Sequence, residues 1–405
     1  MRFLDPALVF AISLTLFLAV IPGSALAETV NLLSLQEGCL PVVVPENYSG
    51  WDPHNLLDDG PASGWASATE KFAGNVFVFE MIGEATIESF AFDTAGVDTE
   101  GSAARDVLVE VSARSASAGF TPVLRTRLAD ITNGQKFKAD KAVPGRWVRL
   151  TIVNNHGSDQ YTEMFGFRGY GERPAPEQFP DISGTYATDY AEFHVRRQGT
   201  ALTGCYEYND GLLTGAIDGR LMKITWQEGP DNQGPAVMVF SRDGQTFKGF
   251  WWRDNATGEP SGVWNGSKNS PTVGSCPHWS GSIGGELHKQ LQETGRARIY
   301  GIRFALDSAD IQPESTPILT EIVTMLQTDA ALQLSIEGHT DATGSAEHNQ
   351  RLSEQRAAAV KAHLVGQGIA AERLTTAGFG PNQPVADNDS ELGRARNRRV
   401  ELVRR

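Results

Sequence analysis

The stretch SIEGHTDATGS, residues 335–345, ends a strand-like run on an acid and then turns between glycines. Fifteen residues beyond Asp341 stands Arg356. A carboxylate and a guanidinium so placed can neutralise each other as a structural ion pair. Alternatively they stand apart and hold a zwitterion, Asp341 taking an ammonium and Arg356 a carboxylate in bidentate geometry. Spacing alone favours the pair, because charge placement is only loosely tied to function.

The elements around these two residues decide where they point. LQLSIEG reads as a strand that delivers Asp341 at its end, and SAEHNQRLSEQRAAAVKAHLVGQG as a long helix stopped by Gly366 or Gly368. Leu352, Arg356, Val360 and Leu364 are spaced four apart and form one slowly drifting stripe. Arg356 interrupts that apolar stripe. A guanidinium aimed at a core needs an anion, because leaving it desolvated and unpaired costs several kcal/mol. Upstream, RIYGIRF reads as a strand and PESTPILTEIVTMLQ as a helix, with Pro313 at its start and Ile318, Ile322, Met325 and Leu326 on one face. RLTTAGF and RRVELVR complete a β-α-β-α-β-β order, which predicts a mixed sheet backed by helices.

The run IEGHTDATGSAEHNQRLSEQRAAAVKAHLVGQGI, continued by RLTTAGFGPNQPVADNDSELGRARNRRVEL, resembles the OmpA-like C-terminal domain family, with a match over residues 296–405. GHTD, N-x-x-L-S-x-x-R-A and G-R-A-x-N-R-R-V carry the likeness. The resemblance implies a domain that holds peptidoglycan non-covalently through the diaminopimelate of the stem peptide, whose free end is a zwitterion. It therefore shifts the balance from the structural pair to the clamp. It implies binding roles for Asp341 and Arg356, further ligand contacts at Asn349 and Arg398, and a pocket wall at Thr340 and Leu352. The opening segment GRARIYGIRFALDSADIQPES also fits, with Phe304 and Ser308 at matching positions. His339 is implied to pack and hydrogen-bond behind the loop. A diderm bacterial envelope follows, so the sequons at Asn47, Asn255 and Asn265 read as chance. The outer-membrane barrel or lipid anchor that usually accompanies the domain is not recognisable in this sequence.

A chain of 405 residues is too long for one compact core and suggests two to four domains of about 100–200 residues each. A net charge of −14 and a pI near 5.1 speak against nucleic acid as a partner. From Arg296 onward there are 13 basic and 14 acidic residues, so nearly all the acid excess lies upstream. Residues 1–27 read as a signal peptide: Arg2, an apolar run from Ala7 to Ile21, and PGSALA before Glu28. That run is short for a membrane span and no other long apolar stretch follows, so no integral span is predicted. Cys39 lies too far beyond it for a lipid anchor. Three cysteines in an oxidising compartment allow one disulfide; Cys205 with Cys276 is the preferred pair, and pairings of Cys39 stay open.

Two breaks, GERPAPEQFPD (171–181) and NGSKNSPTVGSCPHWSGSIGG (265–285), read as linkers. The division is a β module at 28–172, a linker at 173–181, a β module at 182–267, a linker with a short helix at 268–295, and the α/β module at 296–405. In the first module NVFVFEM, TIESFAFDT, DVLVEVSAR and RWVRLTIVNN alternate with period two, as in an antiparallel sandwich. LLDDGPASGW, RWVRLTIVNN and FGFRGYG resemble discoidin or galactose-binding-like jelly rolls, whose end loops bind glycans, lipids or proteins. Asp58, Asp59 and Trp65 either line such a loop or form a turn and pack the core. The second module repeats strand, Gly turn, strand, and predicts a small antiparallel barrel or meander. Its 86 residues leave little room for loops in a membrane barrel, which argues against that reading. Five of the eight tryptophans, Trp226, Trp251, Trp252, Trp264 and Trp279, fall in or just after it, as a core or as a sugar-stacking face.

Other chemistry is thinly represented. His339 and Asp341 share a strand face, but no third or fourth metal ligand stands at a recognisable spacing. GFGPNQP lacks the GK[ST] of a phosphate loop. With no G-x-S-x-G and no H-E-x-x-H, a carboxylate pair in the β modules is the remaining route to a wall hydrolase. The fold class is multidomain: an N-terminal all-β jelly-roll-like sandwich, a small antiparallel barrel or meander, and an α/β domain with a mixed sheet. The reading is a non-catalytic peptidoglycan-binding protein without cofactors, exported to the periplasm or peripheral to the outer membrane, its β modules serving a glycan or protein partner. An adhesin or glycan-binding protein anchored to the wall, and a cell-wall hydrolase, are the rivals.

Overall fold

Apolar residues at every second position make half-buried strands, and the first module is built from ten: β1 (Thr29–Asn31), β2 (Leu40–Val43), β3 (Trp65–Ala66), β4 (Asn75–Asp93), β5 (Asp106–Ser112), β6 (Thr121–Arg127), β7 (Gln135–Lys138), β8 (Pro144–Ile152), β9 (Glu163–Met164) and β10 (Gly166–Glu172). The structure, a computed structural model, describes residues 29–405 apart from 59–62, 97–98, 230–231, 254–258, 300–301, 306 and 390. The leader read at 1–27, Asp59 and Asn255 lie outside the described residues. β4 serves both halves of the module: its first part pairs with β2 and β8, its last with β10 and β7. A register shift between Glu80 and Ala85 marks the change, since extra residues in one strand bend and twist it. Phe77, Phe79, Phe90, Phe92 and Phe167 are fully buried in one core. Trp65 joins them edge-on to Phe77 at 4.8 Å, and Asp58 is buried and accepts from Ser63 Oγ at 2.8 Å. Trp65 is thus a core residue.

The second module comprises β11 (Gly184–Thr188), β12 (Glu192–Gln198), β13 (Ala201–Tyr206), β14 (Gly211–Asp218), β15 (Leu221–Glu228), β16 (Asn232–Phe240), β17 (Thr246–Trp251), β18 (Gly262–Val263) and β19 (Gly266–Ser270). Hairpins connect β11 to β17 in order, β19 pairs with both β11 and β17, and β17 pairs with β16. Eight strands therefore close into an antiparallel barrel, with β18 added on β17. Apolar residues point inward: Leu213 and Ile217 of β14, Met222 and Ile224 of β15, and Met238 and Phe240 of β16 share one core. A lipid-facing barrel has the opposite pattern. Cys205 and Cys276 form a disulfide, as preferred from sequence, and Cys39 is a buried free thiol whose pKa burial raises well above its usual value.

The third module contains α1 (Ile283–Glu293), β20 (Arg296–Ile299), α2 (Thr316–Thr328), β21 (Leu334–Gly338), α3 (Ala346–Gly366), β22 (Leu374–Gly378), α4 (Glu391–Asn397) and β23 (Val400–Arg404). The sheet order is β20-β23-β21-β22, with β21 and β22 parallel and the other pairs antiparallel, a mixed sheet. Ile318, Ile322, Met325 and Leu326 of α2 bury the predicted face, and Ile283, Leu287 and Leu291 of α1 join the same core. The short helix α4, between the last two strands, has no counterpart in the predicted order.

The modules pack on one another. Leu221, Val239, Phe250 and Trp252 of the barrel enter the core of the first module, and Arg146 and Arg220 converge on Glu80 at 3.0 and 3.4 Å. On the other side Ala201 enters the core of the third module, Gln198 Nε2 donates to Glu321 Oε1 at 2.6 Å, and Arg303 meets Asp218 at 3.1 Å.

Candidate functional site

The central strand β21 releases the chain at His339, Thr340 and Asp341, beside the N-terminal half of α3. Two glycines allow the approach. A Cβ on Gly338 would lie 2.2 Å from Ser353 O, and one on Gly378 2.5 Å from Glu354 N, so the ends of the parallel strands rest directly on the helix backbone. Gly344, at φ +88°, turns the chain, and Ser345 caps α3 by accepting from His348 N at 3.2 Å.

Asp341 is buried, and its carboxylate does not meet Arg356. Oδ2 accepts from Arg398 Nη1 at 2.7 Å and Oδ1 from Thr343 N at 2.8 Å. Burial pushes the Asp341 pKa up, but the Arg398 and Thr343 donors outweigh it and hold the carboxyl below its ordinary value. Arg356 is anchored elsewhere: Nε donates to Ser308 O at 3.0 Å, and the guanidinium lies 5.0 Å from the Phe304 ring centroid. Burial and the nearby Arg398 lower its pKa, while Asp307 and Asp341 oppose that shift. The structural ion pair between Asp341 and Arg356 that spacing favoured is therefore not formed. The physical reason is that Arg398, at the end of α4, reaches the carboxylate first, and a carbonyl and an aromatic face satisfy part of Arg356 without a counter-charge.

The remaining predicted residues surround the pair. Asn349 is buried and its Nδ2 donates to Asp341 O at 3.2 Å and Thr343 O at 2.8 Å, so it holds the loop. Thr340 is buried, with N bonded to Gly380 O at 3.0 Å and Oγ1 to Asp341 O at 2.9 Å. Leu352 is buried on α3, one turn before Arg356. A cavity of about 190 Å³ borders the site; Arg356, Arg398 and His339 line one wall, and Thr225, Pro235 and Gln36 of the β modules the other. Asp341 is not among its lining residues. Nothing in the sequence signalled that the barrel would come so close, because the contact joins segments more than a hundred residues apart.

His339 stacks on Phe379 at 5.3 Å, but both ring nitrogens are buried without a hydrogen-bond partner, which corrects the implied side-chain hydrogen bond. Burial, helped by Arg399, lowers its pKa to about 4. Its nearest potential co-ligands are Glu337 and Glu401 rather than Asp341. Those carboxylates are already neutralised, Arg296 Nη1 lying 2.7 Å from Glu337 and 2.5 Å from Glu401, and Arg399 Nε 2.5 Å from Glu401. Such a set suits a buried charge network better than a cation.

The sequence model of the OmpA family matches residues 303–398, which contain all six predicted site residues. The peptidoglycan-binding protein ArfA of Mycobacterium tuberculosis is 40% identical over 102 residues, 25% of this chain and 31% of that protein. Among solved structures, a distant likeness is to a family 32 carbohydrate-binding module from Streptococcus pneumoniae EndoD, 15% identical with a TM-score of 0.29, covering 35% of this chain and 100% of that one. The chain spans from 12% to 51% of the length of the first curated relatives it matches. Against outer membrane porin F of Pseudomonas aeruginosa, however, the likeness reaches 37% identity and covers 66% of this chain and 91% of that protein. The chain belongs to the OmpA family.

Proposed function

We propose that this is a non-catalytic cell-envelope protein whose C-terminal domain grips peptidoglycan reversibly through the diaminopimelate of the stem peptide. Asp341 takes the ammonium and Arg356 the carboxylate of that residue. The observation that carries the reading is that the two charges sit at one site, each held by other groups, and are not joined to each other. A carboxylate offers about four lone-pair positions, and Arg398 and Thr343 occupy part of that set. The Arg356 Nε is fixed on Ser308, which leaves the outer edge of its guanidinium for bidentate contact. Asn349 holds the loop in shape, Thr340 and Leu352 form the wall, and Arg398 keeps Asp341 ionised and adds positive charge beside the ligand carboxylate. The family match and the name of the mycobacterial relative support peptidoglycan as the ligand. Residues 1–27 would direct export, placing the chain in the periplasm or against the outer membrane. The β modules then carry whatever second partner it takes.

Co-sedimentation of the full chain with isolated peptidoglycan tests this. Wild type pellets, and Asp341→Ala or Arg356→Ala weakens binding by roughly 30-fold or more, the loss expected when one member of a desolvated charge pair is removed. Equal pelleting of all three proteins would refute the clamp.

A further inference from the structure

One end of the barrel carries a feature that wall binding does not use. The turns β11–β12 and β13–β14, the facing ends of β15 and β16 and the end of β17 lie there, and they gather six aromatic rings around a cavity of about 300 Å³. Tyr206, Trp226 and Trp264 are its buried rings; Tyr190, Tyr208 and Trp251 are its more accessible ones, Tyr208 being 56% exposed. Neighbouring rings meet nearly at right angles, Trp226 with Trp251 at 5.5 Å and Tyr190 with Trp264 at 5.7 Å. The indole N–H groups are all committed within the protein: Trp226 to Trp252 O, Trp251 to Tyr190 Oη and Trp264 to Thr188 Oγ1. The rings therefore offer carbon surface to a ligand rather than donors.

A few polar groups are held among them. Glu228 accepts from Tyr206 Oη at 2.9 Å, Asn209 Nδ2 at 3.2 Å and Asn232 Nδ2 at 3.0 Å, which orients both amides and leaves their carbonyl oxygens without a described donor. Arg253 also lines the cavity and makes no ion pair among the described residues. The turn that presents Tyr208 is strained, Asn209 and Asp210 both having left-handed backbone at φ 49° and 53°. Scattered exposed aromatics are ordinary, but rings converging on one concave site with a small polar set have the make-up of a ligand pocket.

The chemistry selects among ligands. A purely apolar molecule would leave Glu228 and Arg253 desolvated. An organic cation would suit the rings and Glu228, but Arg253 opposes it. A neutral pyranose satisfies both sets: its C–H face covers a ring, and its hydroxyls both donate to Glu228 and the amide carbonyls and accept from Arg253. We propose that the barrel mouth binds one or two neutral pyranose rings of a glycan, with Tyr208 and Trp251 as stacking surfaces and Glu228 and Arg253 as orienting groups. This goes beyond the wall clamp and does not rest on it, since the two sites lie in different modules.

The test is titration of the full chain with N-acetylglucosamine, galactose and cellobiose, with tetramethylammonium as a fourth probe, following tryptophan fluorescence. At least one sugar should give a saturable change that is weakened at least tenfold in Tyr208→Ala and in Glu228→Gln and kept in Asp341→Ala. Tyr208 is exposed and Gln preserves the shape of Glu228, so neither change disturbs the barrel core. The proposal is overturned if no sugar saturates, if only tetramethylammonium does, or if Tyr208→Ala and Glu228→Gln bind sugar like wild type. Because these probes carry no stem peptide, failure here leaves the Asp341 clamp standing, and failure of wall pelleting leaves this site standing.

Discussion

The C-terminal site and the barrel mouth both place side chains where strands end, yet one is built of charges and the other of rings. At the first, Asp341, Asn349, Leu352 and Arg356 fall within one strand-turn-helix, while Arg398 and the Ser308 and Phe304 anchors of Arg356 arrive from afar. At the second, each strand end or turn contributes one to three residues between 190 and 264, and closure of the barrel alone makes them neighbours. A cluster of charges can be read along the chain. A cluster of rings requires the fold.

The two regions also differ in what stabilises them, and this difference can be measured, because all eight tryptophans precede the last module. Tryptophan fluorescence reports the β modules, and helical circular dichroism chiefly the C-terminal helices. The largest effect is expected from Cys205→Ser with Cys276→Ser: removing a link across 71 residues should cost about 4 kcal/mol by the chain-entropy relation, seen first in the fluorescence transition on denaturant unfolding. Loss of helical signal before fluorescence would show that the disulfide does not specifically hold the barrel.

Next comes a pH effect confined to the C-terminal domain. Folded His339 has a pKa of about 4, held down first by burial and then by Arg399, against about 6.5 in an unfolded chain. The unfolded chain therefore takes up the proton first as pH falls, so the stability is complete above about 6.5 and is lost on the way down to about 4. His339→Phe keeps the ring on Phe379 with no side-chain hydrogen bond to lose, and should remove roughly 2–3 kcal/mol of acid sensitivity from the helical transition. An unchanged pH slope would assign that sensitivity to another group.

The interface between the regions comes third. Glu321 accepts from Gln198 Nε2 at 2.6 Å and from Gly284 N at 2.9 Å. Glu321→Ala should cost about 1–3 kcal/mol and separate the fluorescence and helical transitions; coincident transitions would mean that apolar contacts hold the modules together. Smallest is Arg303→Ala, which breaks the part-exposed pair with Asp218 and should change stability by less than about 1 kcal/mol.

Much of the C-terminal domain was legible because its periodicities are local. The buried face of α2, the strand LQLSIEG and the helix bearing Arg356 all follow from spacing within a few turns. The partner of Asp341 was not, since an ion pair reflects which charge arrives first in three dimensions: Arg398, 57 residues on, takes the carboxylate that spacing assigned to Arg356. In the barrel, alternation announced strands, but nothing in the neighbours of Tyr190 and Tyr208 marks them as ring walls.

Sequence by itself determined the identity of the last domain, the positions of Asp341 and Arg356 on strand end and helix, and the preferred cysteine pair. These rest on hydrophobic period and contiguous motifs, which act over one or two turns of chain. Only the tertiary structure decided that the two charges stay apart, that eight strands close on themselves, and that one end of the resulting barrel collects six rings. The physical reason is the same in each case: packing and Coulomb energy depend on distance through space, and residues far apart in sequence acquire that distance only when the chain has folded.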